Sequence, residues 1–212
     1  MFEEVLPEPT RKYLALLAEM RLSQTFYLAG GTAVALHLGH RISVDLDFFA
    51  SGHFDAPQLD TKLQTFSGYR RERLSEHTLL GVLDDLRISF FWYRYSILEE
   101  PVMVLDTQIL QLPDLAAMKL EAIAQRNTKR DFIDLFFLAQ LADIPPAKAL
   151  EYHQAKYSGL NINLAHLILS LGYFDEAEDD PMPQMLMPVS WEEVKHYFLQ
   201  ESRVLVQKFA VK

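Results

Sequence analysis

Two aspartates one residue apart, Asp45 and Asp47, interrupt the apolar run ISVDLDFF. An ionised carboxylate taken out of water without a partner costs several kcal/mol, so this pair needs a counter-charge. Residues two apart in a strand share a face, which projects both side chains together at about 7 Å while Val44, Leu46 and Phe48 pack on the other face. Such a pair can hold one or two Mg²⁺ ions, which take oxygen ligands and keep positions open for water and substrate phosphates. Upstream, FYLAGGTAVALHL runs an apolar strand through Gly30 and Gly31 into a helix. Paired glycines at a helix N-terminus let phosphate oxygens approach backbone N–H groups, and Thr32 adds a hydroxyl. One segment would cradle phosphates while the other holds the metal that bridges them.

The elements that must position these residues can be read along the chain. Thr10 is placed to cap a helix carrying Leu14, Leu17 and Ala18 at helical spacing. A short buried strand follows at 26–29, then the helix TAVALHL, which Gly39 can stop by taking a left-handed conformation. The run ISVDLDFF is a strand, HTLLGVLDDLRISFFWYRY a hairpin turning at Asp84 and Asp85, and VMVLD a further strand. From Pro113 the period becomes helical: PDLAAMKLEAIAQR and RDFIDLFFLAQLA are separated by Asn127 and Thr128, and further helices are expected near 146–157 and 162–171. The stretch YFDEAEDDPMPQMLMP is a loop by composition, solvated or laid over a partner surface. Ser190 and Glu193 form a capping box that opens the last helix, with Trp191 as its anchor. The expected fold class is α+β, a small mixed sheet flanked by helices and followed by a helical region, with the boundary between 1–112 and 113–212.

Composition limits the partners. At 212 residues and 50% hydrophobic content the chain can bury a full core. A net charge of -9 provides no global attraction for nucleic acid or anionic membrane, so a polyanion must be held by a local basic patch or a metal. The absence of cysteine excludes a disulfide framework and thiolate ligands. No apolar run reaches the ~18 residues of a membrane span, and MFEEVLPEPT has no signal-peptide pattern, so a cytoplasmic protein without membrane contact is expected.

Asp-x-Asp alone is a weak signal, and on the exposed face of an edge strand it would carry no chemistry. A haloacid-dehalogenase-type phosphatase would want Thr or Val where Phe49 stands, and nothing here suggests the sugar-nucleotide domain of a glycosyltransferase. The composite of strand, Gly-Gly, short helix and 13 intervening residues before Asp-Leu-Asp resembles the signature of polymerase-beta-type nucleotidyltransferases. Together with DLAAMKLEAIAQRNTKRDFIDLFFL, it is similar to the AbiEii/AbiGii toxin family of nucleotidyltransferases. The residues that carry the resemblance are Gly30, Gly31, Ser43, Asp45 and Asp47, then Lys119 and Ala122, then Arg130, Asp131, Asp134 and Leu135, over roughly residues 26–140.

The resemblance implies an Mg²⁺-dependent nucleotidyltransferase acting from a nucleoside triphosphate on an RNA acceptor such as tRNA, or on protein. Such an enzyme would be the toxin of a toxin–antitoxin or phage-defence pair, with the antitoxin encoded nearby. It places Asp45, Asp47 and Lys119 in catalysis, Asp45 and Asp47 on metal, and Gly30, Gly31, Thr32, Ser43, Lys119, Arg130 and Asp131 around the nucleotide. Lys119 suits a triphosphate as a point charge, and Arg126, Lys129 and Arg130 form a local basic patch between two helices. Asp131 and Asp134 share a helix face and either take part or pair with Arg126 or Arg130. Ser89 stands where a third carboxylate is expected, with Asp106 and Glu99 as substitutes only by sequence proximity. A nucleotidyltransferase-like binding module without transfer activity is the alternative. His37 and His40, and Phe132, Phe136 and Phe137, are read as structural, and Arg70, Arg71 and Arg73 as a solvated surface.

Overall fold

A computed structural model of the chain describes residues 1–210. The strands β1 (Tyr27–Ala29), β2 (Leu46–Ala50), β3 (Tyr69–Ser75), β4 (Thr78–Leu83), β5 (Leu86–Trp92), β6 (Val102–Val104) and β7 (Thr107–Ile109) form one mixed sheet in the order β3-β4-β5-β2-β1-β7-β6. β1 runs antiparallel to β2 and parallel to β7, while β2 runs parallel to β5. Alternation along β2 buries Leu46, Phe48 and Ala50 and leaves Asp47 and Phe49 half-buried on the opposite face. Phe48 stacks on Phe90 of β5 on the core side, with ring centroids 5.1 Å apart.

The helices are α1 (Glu8–Glu19), α2 (Gly30–Leu38), α3 (Ala56–Leu63), α4 (Leu112–Arg126), α5 (Lys129–Ala142), α6 (Pro146–Lys156), α7 (Leu164–Ser170), α8 (Asp175–Glu178) and α9 (Trp191–Ala210). Both α4 and α5 pack on α2, α6 packs on α4, and α9 packs on α5 and α7. The α+β class and the helical carboxy-terminal region therefore stand as expected. Gly39 ends α2 at φ +70°, and Ser190 and Glu193 bond reciprocally at the start of α9. Trp191 meets Phe132 and Phe174 edge-on, which anchors α9 to α5. Among the described residues no helix is long and apolar enough to cross a membrane.

Several expectations are corrected. Thr10 does not cap α1, which begins at Glu8 behind Pro7 and buries Thr10 inside the helix. β2 starts at Leu46, so Asp45 precedes the strand and Val44, expected in the core, is 47% exposed. Residues 53–75, outside the expected elements, hold α3, capped by Asp55 accepting from the Gln58 N–H, and β3. A second short strand, β7, follows a tight turn in which Leu105 and Asp106 both take positive φ. The acidic, proline-rich stretch contains α8 and lies over the chain itself: the Ile42 N–H donates to the Gln184 carbonyl, and the Leu186 and Met187 N–H groups donate to that of His40.

Candidate active site

Asp47 stands in register with Ala29 of β1 and Ser89 of β5, at the centre of the sheet and beside the first turn of α2. Ser89 is thus the residue beside Asp47 on the neighbouring strand. Asp45, one residue before the strand, is held by its backbone. The Thr32 hydroxyl donates to the Asp45 carbonyl and bonds the Ser43 hydroxyl at 2.8 Å. Thr32 and Ser43 are buried, and their polar atoms are engaged in fixing this loop.

The paired glycines have a specific physical cause. Gly30 takes φ +67°, and a Cβ there would sit 2.7 Å from Asp47 Oδ2. A Cβ on Gly31 would run into the guanidinium of Arg41. Arg41 cannot move aside, because it is buried and its Nε and Nη2 donate to Asp134 at 2.7 and 2.9 Å. The glycines therefore admit one carboxylate and one guanidinium against the N-terminus of α2.

Two acidic pairs in this region have opposite surroundings. Asp134, fully buried on α5, receives Arg41, His40 Nε2 at 2.8 Å and Lys119 Nζ at 2.6 Å. Asp131, one turn earlier, receives Lys119 Nζ at 2.8 Å, Arg126 Nε at 2.8 Å and the Thr128 hydroxyl at 2.7 Å. Burial alone would push both carboxyls up, but Arg41 and Lys119 around Asp134, and Lys119 and Arg126 around Asp131, hold them well below the usual carboxylate range. Asp47 goes the other way: burial raises its carboxyl, the Ser89 hydroxyl offsets part of this, and the neighbouring Asp45 raises it further. Among the described residues Asp45 pairs only with Arg130 Nη1, at 3.4 Å and from a side chain 54% exposed.

The expected site residues come together. Gly31, Thr32, Ser43, Asp45, Asp47, Lys119, Arg130 and Asp131 all line one cleft of about 280 Å³, with Arg41, Arg87 and Arg126 adding charge. An adjoining compartment of about 340 Å³ shares Asp47, Lys119, Arg126 and Asp131, takes in Gly30, and runs between Phe49 and Phe91 on the sheet, with Tyr93 just past β5, and Leu115, Met118 and Ala122 on α4. Lys119 keeps its predicted place, but its ammonium is already bridging Asp131 and Asp134. Of the two expected partners for Asp131 and Asp134, Arg126 bonds Asp131, whereas Arg130 turns to Asp45.

Lys129 leaves the expected basic patch: it is buried, and its Nζ bonds the backbone carbonyls of Glu178 and Asp180. Asp106 turns the β6–β7 hairpin, and Glu99 gives its backbone N–H to Asp114, so neither lines the cleft. Among the described residues no three His, Cys, Asp or Glu side chains gather to hold a metal. His37 bonds the Leu110 carbonyl and Phe132 is wholly buried, both in structural roles. Sequence reasoning missed Arg41, Arg87 and the aromatic floor. Period-2 alternation from Asp47 to Phe49, and from Ser89 to Phe91 and Tyr93, held the signal for that floor.

The family model described as the nucleotidyl transferase AbiEii toxin of type IV toxin–antitoxin systems matches residues 12–100 and 93–200. An uncharacterised protein of Aquifex aeolicus (strain VF5) is 36% identical over 197 residues, covering 91% of this chain and 94% of the relative. The crystal structure of JHP933 from Helicobacter pylori superposes with a TM-score of 0.54 at 16% identity, over 96% of this chain and 94% of that one. The solution structure of the antibiotic-resistance factor ANT(2'')-Ia gives 0.50 at 15% identity, over 69% and 89%. At these identities the structural likenesses establish the fold.

Proposed function

The chain belongs to the AbiEii family of nucleotidyltransferase toxins, and from that premise we propose that it transfers a nucleotidyl group from a nucleoside triphosphate to an RNA acceptor, as the toxin of a pair with a nearby antitoxin. The observation that carries this reading is the contrast between the acidic pairs. Asp131 and Asp134 are matched by Lys119, Arg126 and Arg41, whereas Asp45 meets the exposed Arg130 and Asp47 forms no ion pair among the described residues. Asp45 and Asp47, two under-compensated carboxylates beside the N-terminus of α2, would hold a Mg²⁺ ion, which takes oxygen ligands. When bound, Mg²⁺ supplies charge neutralisation at the phosphates.

The chain's own groups do the rest. Gly30 and Gly31 line the cleft and its adjoining compartment at the N-terminus of α2, whose dipole favours phosphate, and the exposed Arg126 and Arg130 add positive charge there. Lys119, bridging Asp131 and Asp134, positions α4 against α5 and contributes its field to Asp47. The base is proposed to occupy the apolar compartment, stacked against Phe49 and Phe91 and covered by Met118. An acceptor hydroxyl, its proton passing to water in the cleft, bonds to the α-phosphorus while the bond from that phosphorus to the bridging oxygen of the β-phosphate breaks and pyrophosphate leaves.

Ser89 favours a second reading, a nucleotide-binding module without transfer, because a hydroxyl does not replace a carboxylate charge. The two readings separate on Ser89→Asp. If Asp45 and Asp47 suffice, wild type labels an acceptor and Ser89→Asp lowers transfer, because a third charge is set beside a carboxyl that burial and Asp45 already raise. Transfer assays with labelled nucleotide on both proteins check this. A silent wild type activated by Ser89→Asp would establish the binding-module reading.

A further inference from the structure

The sheet face that carries Asp47 continues outward beyond the cleft. Across β5 and β4, Ser89 opposes Leu80 and Arg87 opposes Val82; across β4 and β3, Leu80 opposes Arg73 and Val82 opposes Arg70. Opposed residues share a face, so Asp47, Ser89, Leu80 and Arg73 lie in one row, and Arg87, Val82 and Arg70 in the next. A bulge between Arg71 and Arg73 makes this register possible by inserting Glu72 as the extra residue. Arg71 falls on the opposite face, where its Nη1 bonds Asp60 of α3 at 2.9 Å and where Leu79 and Leu83 are buried.

Arg70, Arg73 and Arg87 are all exposed, and Arg87 also lines the cleft beside Asp47. The acid in contact with them, Glu72, meets Arg70 at 3.6 Å between two exposed side chains, a loose pairing that a stronger anion displaces. The three guanidiniums lie on β3 and β5, two strand spacings or about 10 Å apart, and lead to Arg126 and Arg130, which line the cleft. In a chain of net charge -9, this is a local positive strip on an open face.

We propose that the β3–β4–β5 face is the docking track of the acceptor, an RNA strand whose phosphates lie along Arg73, Arg70 and Arg87 and whose hydroxyl end reaches Asp45 and Asp47. This rests on the nucleotidyl-transfer reading and adds where the acceptor binds. A row of exposed guanidiniums with no deep apolar anchor among them suits a phosphate backbone better than a protein surface.

The test is binding of total tRNA, followed by fluorescence anisotropy across a salt series, with Mg²⁺–nucleotide binding measured alongside. Arg70→Gln/Arg73→Gln removes two phosphate contacts, and each contributes about 0.7 to the slope of log K against log salt. The double variant is expected to bind tRNA roughly 25-fold more weakly at about 0.1 M salt, with a slope shallower by about 1.4. Nucleotide binding should stay unchanged, and Arg70→Lys/Arg73→Lys should retain the slope. A glutamine variant that binds tRNA as wild type does, or a wild type that binds nucleotide but no tRNA, overturns the track. Failure of wild type to bind nucleotide counts against the transferase reading instead, and the tRNA comparison still judges the track.

Discussion

Asp134→Ala should lower unfolding free energy by about 3–5 kcal/mol, the cost of leaving buried charges without their partner. The carboxylate is wholly buried and ties the adjacent His40 and Arg41, together with Lys119 of α4, to α5. Lys119 would keep Asp131, but Arg41 would lose both of its bonds to Asp134 while remaining buried against Gly31. Against a total stability on the order of 5–15 kcal/mol, this is a large fraction. Urea unfolding should show a much lower midpoint at similar slope, whereas Arg130→Ala, which breaks an exposed contact, should cost under about 1 kcal/mol. Equal effects from the two changes would remove the assignment of Asp134 as the organiser of the site.

The same clamp sets a pH dependence. Asp131 and Asp134 have folded values held below the unfolded value of about 3.9. Their contribution is therefore fully present above the unfolded value and lost as pH falls below about 4 toward the folded values. Wild type should lose stability steeply over that range, and Asp134→Ala less steeply.

Asp47→Asn is the second large effect, and it should separate stability from function. The Asp47 carboxyl is raised by burial and by Asp45, so its ionised form is a penalty above the folded value, relieved as pH falls through it. At neutral pH the neutral amide removes that penalty, and the unfolding midpoint should be unchanged or higher. Mg²⁺-dependent nucleotide binding should be lost, and transfer should fall on the order of a thousandfold, equivalent to several kcal/mol of charge stabilisation. An Asp47→Asn protein that unfolds would place the residue in structure rather than chemistry.

The site was more legible in the sequence than the sheet was. Asp45, Asp47, Gly30, Gly31 and Lys119 were readable because carboxylates in an apolar run and glycines before a helix contradict local preference, and such contradictions mark function. The two helices bearing Lys119, Asp131 and Asp134 were readable from their apolar stripes. β3 was not: YRRERLS is a charged edge strand with a bulge, which blurs the alternation a strand otherwise shows. β7 is three residues long, too short for any period. α3 does carry a signal in the sequence, Asp55 before Pro57 at the helix start. The role of Arg41 could not be read, since its partner lies 93 residues away and the pairing exists only once α5 packs on α2.

The most direct test of the transferase assignment is transfer of label from α-phosphate-labelled nucleoside triphosphates to total tRNA in the presence of Mg²⁺, with wild type and Asp47→Asn side by side. Label retained on RNA by wild type, lost on chelation of the metal and lost in Asp47→Asn, is the predicted result. Tight nucleotide binding by wild type with no label on RNA or protein, or equal labelling by the two proteins, would contradict it.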